Sequence, residues 1–313
     1  MSQKRVLTRS GLPGPAWHNE RMAPRECPTR HARRARAVLL CAVVCLLAPS
    51  AVLAQQRPLQ TQDPEPIGAG QVLVGVGFDH GTDVLFPASG LAGSLTRVPV
   101  IGLTFGISPV ADIEVTGGPY QRLGITNRYF APLAGEVTAT GDSTHSVVDM
   151  SIGAKVRLLG EKATRPSVAF LFSTSLPNAK HASGLGLNTT NFFTGFAVGK
   201  TLAGVRVAGN IGLGILPSPV DGQSQNDVLT YGLSLAMRVG RQVEVLGELA
   251  GRSSTRRGEP PPGTGSRRSV LVGARYLRGA MRLDGGMTFG MTEMDATVGV
   301  TAGVSWKFRA WTL

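Results

Sequence analysis

The sequence predicts an all-β protein that forms a single twelve-stranded antiparallel transmembrane β-barrel, with short periplasmic turns and longer extracellular loops. Three observations predict this fold. Apolar and polar residues alternate with a period of two in twelve segments, which is the pattern of a strand with two different faces. Short and long connections alternate between these segments, as they do in outer-membrane barrels. The first 54 residues have the features of an export signal.

The N-terminal leader is the first element. Four arginines between positions 30 and 36 precede an apolar run over 37–48, and small residues follow up to Ala54. This arrangement predicts a signal peptide over 1–54, Sec-type export and cleavage near Ala54. Met22 is an alternative start, because it leaves a basic region of ordinary length. The alternative of an N-terminal membrane anchor is disfavoured by Pro49 and Ser50, which interrupt a run that is barely long enough to span a bilayer.

Charge and cysteine content narrow the function classes. The 313-residue chain has a formal net charge of +12, but residues 1–54 hold 9 Lys/Arg and 2 Asp/Glu, which leaves 23 and 18 for the remainder. Most of the basicity therefore belongs to the leader, which argues against nucleic acid as a partner. Cys27, Cys41 and Cys45 also lie in the leader, so the part after residue 54 has no disulfide, thiolate or Cys–zinc chemistry. We expect no cofactor and no metal.

The strands follow from the alternation. From Val148 to Leu158, for example, Val, Met, Ile, Ala, Val and Leu alternate with Asp, Ser, Gly, Lys and Arg. Most segments are close to the ~9–11 residues that a tilted strand needs to cross a bilayer. The twelve segments are 71–78, 97–107, 111–125, 146–158, 166–176, 191–200, 204–215, 228–239, 243–252, 268–278, 281–289 and 297–308. We accordingly expect a periplasmic N-terminal linker over 55–70, the barrel over 71–308 and a C-terminal tail over 309–313.

The connections distinguish a membrane barrel from a soluble one. Four connections are very short (108–110, 201–203, 240–242 and 279–280), a polar turn at 159–165 is slightly longer, and most of the others have about 12–20 residues. A soluble sandwich or closed barrel is the alternative, since it also alternates. Its polar face would carry many charges, however, whereas here that face is mostly Gly, Ser, Thr and Ala with scattered charges. Such a face suits a crowded lumen.

The charged residues of the strands are expected to face this lumen, because Arg or Lys facing lipid near the midplane costs ~2–4 kcal/mol. The predicted basic lumen residues are Arg122, Lys155, Arg157, Arg206, Arg238, Arg252, Arg275, Arg282 and Lys307. The predicted acidic ones are Asp112, Glu114, Asp149, Glu244, Glu248 and Asp284. Two interpretations stay open. The charges either set a weak preference for anions in a conducting pore, or they pair across the interior and fill it.

One region resembles a known family. Asp149–Arg157 has the pattern D-x-x-x-G-x-K-x-R, a P-x-x-A strand begins at Pro166, and Leu176-Pro177 opens a loop. These residues resemble the outer-membrane β-barrel family named for a meta-pathway of phenol degradation, whose members are often described as transporters. Asn178-Ala179 departs from the family's Thr-Gly in that loop. The similarity covers about 145–215. It implies an outer-membrane barrel and uptake of small hydrophobic or aromatic molecules, with no catalytic residues to transfer.

These observations together predict a transporter in the outer membrane of a Gram-negative-type bacterium, for passive or facilitated uptake of a small solute. Its expected partners are outer-membrane lipid, the unidentified solute and, during biogenesis, the barrel-assembly machinery. A non-conducting structural or lipid-contacting barrel is the alternative. A lipid-modifying hydrolase built on Asp142, Ser143 and His145 is a third hypothesis, but proximity in sequence does not place a base on a nucleophile. We expect that the protein is not an enzyme.

Overall fold

The computed structural model describes residues 57–312, so the predicted signal peptide, its cleavage site at Ala54 and the alternative start at Met22 lie outside the described residues. Within 57–312 the chain forms twelve β-strands and two single-turn 3₁₀ helices, Ala134–Glu136 and His181–Ser183. The strands are β1 Gln71–Phe86, β2 Leu91–Gly106, β3 Ala111–Arg128, β4 Ser143–Leu159, β5 Ser167–Leu176, β6 Asn191–Leu202, β7 Val205–Pro217, β8 Gln225–Val239, β9 Val243–Ser254, β10 Arg267–Arg278, β11 Met281–Gly290 and β12 Val298–Arg309.

The twelve strands close into one antiparallel barrel. Each strand pairs with the next along the chain, and β12 pairs with β1 in a register that places Gly75 opposite Ser305. Closure leaves no unpaired sheet edge, as a strand-based membrane protein requires. The predicted fold class is therefore confirmed. No helix in the described part of the chain is both long and apolar enough to cross a membrane.

The two faces of the barrel wall differ in chemistry. In β8 the outward residues Leu229, Leu233 and Leu235 are exposed, whereas the inward residues Ser234 and Ala236 are buried. The same contrast recurs around the barrel, with large apolar side chains exposed on the outside. An apolar exterior of this kind is stable in contact with hydrocarbon, because lipid tails remove it from water.

The first hairpin is longer than the sequence predicts. The expected loop over 79–96 belongs mostly to β1 and β2, and the connection between them is only the turn 87–90. Asp83 has a positive φ of 57°, and the β1–β2 register shifts between Gly81 and Val84. A bulge of this kind inserts an extra residue and reverses the alternation. The period-two pattern was therefore hidden beyond Phe78.

Strands β2, β3 and β4 also have bulges, and these lie next to one another across the sheet. The β3–β4 register shifts on both sides of Gly118, and β2 is irregular next to Pro99, which has no backbone N–H to donate. In β3 the inward residue at the start is Asp112, but beyond the bulge the buried residues are Gln121 and Leu123. Inward positions thus change from even to odd numbers within one strand.

Gly70, just before β1, meets the C-terminal end of β12 at the short-turn end of the barrel. The last strand runs one residue past Phe308, and the amide of Ala310 donates to the carbonyl oxygen of Gly70 at 2.9 Å. Residues 310–312 follow the strand as a short tail. The remaining described segment, Arg57–Gly70, does not lie outside the barrel.

The apolar exterior makes a direct prediction about stability. Leu233 lies near the middle of β8 and is 51% exposed on the outer face. We expect Leu233→Arg to lower the free energy of unfolding by ~2–4 kcal/mol, because a guanidinium near the midplane faces lipid. Denaturant titration of protein folded into phosphatidylcholine vesicles measures this change. Leu233→Phe is the matched control and should cost less than ~1.5 kcal/mol, because it keeps an apolar group at the site; an equal loss in both variants would contradict the lipid-facing assignment.

Candidate functional site in the barrel lumen

Residues Arg57–Gly70, here called the plug segment, lie inside the barrel. The sequence predicts this stretch as a periplasmic linker, and the structure corrects that location. The segment runs from Gly70 at the short-turn end into the lumen, and inward-facing side chains from many strands contact it. Its polar composition, which resembled that of a solvated linker, matches the polar lumen instead.

The plug segment enters the lumen beside the ends of β3 and β12. The backbone amide of Ile67 donates to both carboxylate oxygens of Asp112, at 3.0 and 3.3 Å, and Lys307 Nζ donates to the Ile67 carbonyl at 3.0 Å. Lys155, only 1% exposed, lies between Asp112 and Glu114 with Nζ–oxygen distances of 3.6 and 3.4 Å. Side chains of the wall therefore form hydrogen bonds with the backbone of the plug and ion pairs with one another.

Two ion pairs hold the next part of the segment. Arg206 makes a bidentate pair with Asp63, with Nε–Oδ2 at 2.7 Å and Nη2–Oδ1 at 2.8 Å, and its third nitrogen contacts Glu161. Arg157 donates to Glu65 at 2.6 Å. The Asp63–Arg206 pair is buried on both sides. Fork-shaped pairing of this kind fixes the relative orientation of two groups as well as their distance.

The middle of the plug segment is held through its backbone. Glu248 accepts hydrogen bonds from the amides of Gln60 and Thr61 at 3.0 and 2.5 Å. Asn210 exchanges two hydrogen bonds with the backbone of Gln62, at 2.6 and 2.9 Å. The Gln62 side chain donates to Glu114 at 3.0 Å. These contacts come from β9, β7 and β3, so the segment bridges opposite parts of the wall.

Arg57 marks the far end of the described segment. Its guanidinium donates to Asp79 at 2.8 Å and to Thr301 at 2.9 Å, and Thr301 also donates to Asp79. Arg275 donates to the Arg57 carbonyl at 2.8 Å. Leu59, next but one along the chain, is the apolar anchor of the segment, packed in a buried cluster with Ala236, Leu246 and Leu271.

Glycines on the inner wall make room for the plug. A Cβ at Gly77 would lie 2.4 Å from the guanidinium carbon of Arg57, and one at Gly199 would lie 2.9 Å from the ring of Pro64. A Cβ at Gly232 would meet the Thr61 hydroxyl at 2.6 Å. All three distances are shorter than any normal contact. The small inward residues that the sequence shows are thus the surface against which the plug packs.

The structure places most of the predicted lumen charges inside the barrel. Seven are buried: Lys155, Arg206, Arg275, Arg282, Asp112, Glu248 and Asp284. Six are partly buried: Arg157, Arg252, Lys307, Glu114, Glu244 and Asp149. Arg238 lies at the rim, where it pairs with Glu244 at 3.3 Å while its side chain is 43% exposed. Asp149 holds the β5–β6 loop against the wall, because its carboxylate accepts hydrogen bonds from the amides of Asn178 and Ala179.

Arg122 is the exception among the predicted lumen charges, and its assignment to the lumen is wrong. It is exposed, whereas its neighbours Gln121 and Leu123 are buried. The bulge in β3 is the cause, because the prediction carried the even-numbered inward face of Asp112 across the register shift. Arg122 therefore projects from the outer face of the wall.

Several lumen residues were missed by sequence reasoning. Asp63, Glu65 and Arg57 were assigned to the linker, while Asp79 and Arg267 were assigned to loops. One signal could have found the plug. The predicted lumen carried nine basic and six acidic residues, and the linker just before the barrel has one more acidic than basic residue. A surplus of positive charge in a confined lumen favours a segment that carries acidic side chains into it.

Two cavities remain beside the plug segment, each with a volume of about 360 Å³. The side cavity lies between the plug and the wall from β4 to β10, and it includes Lys155, Asn210 and Phe193. The outer cavity lies between the plug and the long loops, and it includes Arg97 and Arg267.

The β5–β6 loop, residues 177–190, closes over this end of the barrel. Leu185 of the loop packs in a buried cluster with Leu91, Leu95 and Leu123, which face inward from the wall. The hydroxyl of Thr144 on β4 also donates to the Ser183 carbonyl at 2.9 Å. This long loop therefore folds inward and packs on Val84 and Leu95, which line the outer cavity.

The candidate catalytic residues do not converge, and the neighbouring residues Asp79 and His80 contact different groups. Ser143 and His145 are both exposed on β4, and within residues 57–312 no hydrogen bond joins them. Asp79 faces Arg57 inside the lumen, whereas His80 contacts Thr96 across the neighbouring strand. No group of three or more His, Cys, Asp or Glu side chains suited to a metal ion occurs among the described residues.

Comparison with known proteins supports the fold. The structure is similar to that of an outer membrane channel from Pseudomonas putida F1, with a TM-score of 0.57 and 16% identity over 80% of this chain and 100% of that one. The translocator domain of the autotransporter NalP from Neisseria meningitidis gives a TM-score of 0.45 and 12% identity over 88% of this chain and 98% of that one. No family model matches the sequence, and no curated protein matches it. At 16% identity, the similarity to the P. putida F1 protein shows a shared barrel fold.

The Asp63–Arg206 pair yields a prediction about stability. We expect Arg206→Met to lower the free energy of unfolding by ~3–5 kcal/mol, because it leaves the buried Asp63 carboxylate without its counterion. Arg238→Met is the matched control, since its exposed pair with Glu244 should contribute only ~0–1 kcal/mol. Denaturant unfolding in lipid vesicles measures both. Similar losses for the two variants would show that the plug is not held as described.

Proposed function

We propose that the chain is an outer-membrane channel for passive or facilitated uptake of a small solute, in which the plug segment limits passage. The single observation that supports this proposal most strongly is the way the lumen is filled. A polar segment crosses it on hydrogen bonds and ion pairs, and cavities of about 360 Å³ remain on two sides. A purely structural barrel needs neither, because eight strands already give an interior that side chains can fill.

The location proposed for the protein follows from the two faces of the wall and from the leader. The apolar exterior suits lipid, and the leader predicts export with cleavage near Ala54. We infer that the short-turn end faces the periplasm and that the long loops face outward. Cleavage at that position would leave two residues, Gln55 and Gln56, before the plug. Lipid and the barrel-assembly machinery are the proposed partners, and no enzymatic role is proposed.

Three observations support uptake of a small organic solute. The P. putida F1 protein is an outer membrane channel, and this chain has a similar fold. The sequence resemblance over about 145–215 adds small hydrophobic or aromatic molecules as candidates. The inner wall also offers apolar surface beside polar groups, since Leu171 and Phe193 line the side cavity together with Lys155. Such a mixture can contact a small organic molecule along a path that remains hydrated.

A non-conducting barrel is the second candidate, and one observation favours it. Both acidic side chains of the plug are already paired, Asp63 with Arg206 and Glu65 with Arg157. A lumen closed permanently by such pairs would serve a structural or lipid-contacting role.

Single-channel recording separates these two candidates. We expect residues 55–313, refolded into a planar lipid bilayer, to show discrete conductance steps because the plug, which is held by polar contacts, can move. In a salt gradient the reversal potential should indicate a modest preference for anions, since basic residues outnumber acidic ones in the lumen. Arg241→Gln, in a turn outside the lumen, is a matched control that should leave the reversal potential unchanged.

A silent bilayer, with insertion shown by protection of the barrel from protease, would contradict the channel. It would favour the structural role instead. A reversal potential that shows a preference for cations would contradict the charge assignment of the lumen. The proposal that the protein conducts would still stand.

A further inference from the structure

Two arginines in the outer cavity, Arg97 and Arg267, make no ion pair in the described part of the chain, although Asp79 and Asp149 lie near Arg97 and Asp295 lies near Arg267. Within residues 57–312, no carboxylate oxygen lies within ion-pair distance of the guanidinium of Arg97 or Arg267, and the Nε atom of Arg267 is buried without a hydrogen-bond acceptor. Arg97 makes one long hydrogen bond, at 3.5 Å, to the Gln121 side chain. Burying a cation without a counterion is costly. A site of this kind is completed by an anion.

The acidic residues of the outer cavity are already engaged. Asp79 accepts hydrogen bonds from Arg57 and Thr301. Asp295 accepts from the backbone amide of Arg268 at 2.8 Å and from the Thr292 hydroxyl at 2.6 Å. Three arginines and two carboxylates line the cavity, which leaves it with one net positive charge. Unused donors remain on Arg97 and Arg267, in addition to the Nε atom of Arg57.

Apolar side chains lie in the same cavity. Leu95 and Val84 belong to the buried cluster closed by Leu185 of the β5–β6 loop. Leu271 belongs to the cluster around Leu59 of the plug segment. These surfaces offer no hydrogen bonds and would favour an apolar group. The cavity volume of about 360 Å³ lies near the lower limit of the ~300–1,000 Å³ typical of small-molecule pockets.

We propose that Arg97 and Arg267 bind the carboxylate of a small organic acid in the outer cavity, while the apolar body of that acid packs on Val84, Leu95 and Leu271. Guanidinium groups suit this role because their planar donors match a carboxylate bidentately. This site rests on the proposed uptake function and specifies its solute as a monocarboxylate with an apolar body. The ligand would lie directly above Arg57 and Gln60 of the plug, which line the same cavity.

Calorimetry on the full mature chain in lipid nanodiscs tests the site without relying on conduction. Benzoate is the probe, and benzyl alcohol, acetate and inorganic phosphate are the comparison ligands. We expect benzoate to bind at least tenfold more tightly than benzyl alcohol, which lacks the charge, and than acetate, which lacks the apolar body. Phosphate should also bind at least tenfold more weakly, because it gains nothing from the leucines.

Substitutions of Arg97 and Arg267 test whether these two residues bind benzoate. Arg97→Gln and Arg267→Gln should each weaken benzoate binding at least tenfold, and Arg97→Lys should recover only part of the loss because it removes the bidentate geometry. Arg122→Gln is the matched control on the outer face of the adjacent strand and should not change binding. Heat-modifiable migration on a gel verifies that each variant is folded.

Several results would overturn the site. Benzoate affinity that is unchanged in both glutamine variants, equal affinity for benzyl alcohol, or tighter binding of phosphate would each contradict it. Failure of the site is distinguishable from failure of the channel. Conductance without benzoate binding would remove the site alone, and benzoate binding to a barrel that never conducts would remove the channel alone.

Discussion

Hydrocarbon surrounds the barrel wall, and this constraint determines where its charges lie. A charged side chain near the midplane of the membrane is expensive on the outer face, so it points into the lumen. Lys155, Arg206 and Arg275 are buried there, while leucines and valines cover the outside. Each inward charge then needs a partner, because the lumen has less water than bulk solvent to screen it. The position of the plug segment follows from that need.

The plug segment meets this need with its own charges and its backbone. Asp63 and Glu65 neutralise Arg206 and Arg157, and the amides of two consecutive residues satisfy Glu248. Glycines at the points of closest approach let the chain lie against the wall. Because these contacts are polar, water can replace them when the plug moves away from the wall. A polar hydrogen bond typically contributes only ~0.5–1.5 kcal/mol net, since water can take the place of either partner. A segment held in this way has a definite position and can still be displaced.

Much of the fold could be predicted from the sequence, because lipid on one side and a polar lumen on the other impose a strict alternation. The ends of β3 to β12 lie within a few residues of the predicted segments. The failures share one physical cause. At Asp83 and around Gly118 an extra residue enters a strand, and every side chain beyond it changes face. The sequence pattern therefore predicts the wrong face for Arg122 and a loop for the second half of β1.

The plug could not be found by periodicity, since it has no regular secondary structure. Its contacts join residues that are far apart in sequence, such as Asp63 and Arg206, separated by 143 positions. Arg97 and Arg267 were missed for a related reason, because a bulge follows Arg97 and Arg267 is the first residue of its strand. The opposite net charges of the linker and the lumen indicate that the two associate. They do not specify which residues pair or how the segment runs through the barrel.

We infer that solutes pass only when the plug segment moves, and a disulfide between the plug and the wall tests this inference. Thr61 and Gly232 suit this purpose, because a Cβ at Gly232 would lie 3.4 Å from the Thr61 Cβ, close to the spacing of a disulfide. The chain after residue 54 has no other cysteine. Single-channel current is recorded from Thr61→Cys/Gly232→Cys before and after reduction, with Thr61→Cys alone as the control. The account predicts no openings in the oxidised double variant and their return on reduction. Openings of equal size and frequency in both states would contradict it.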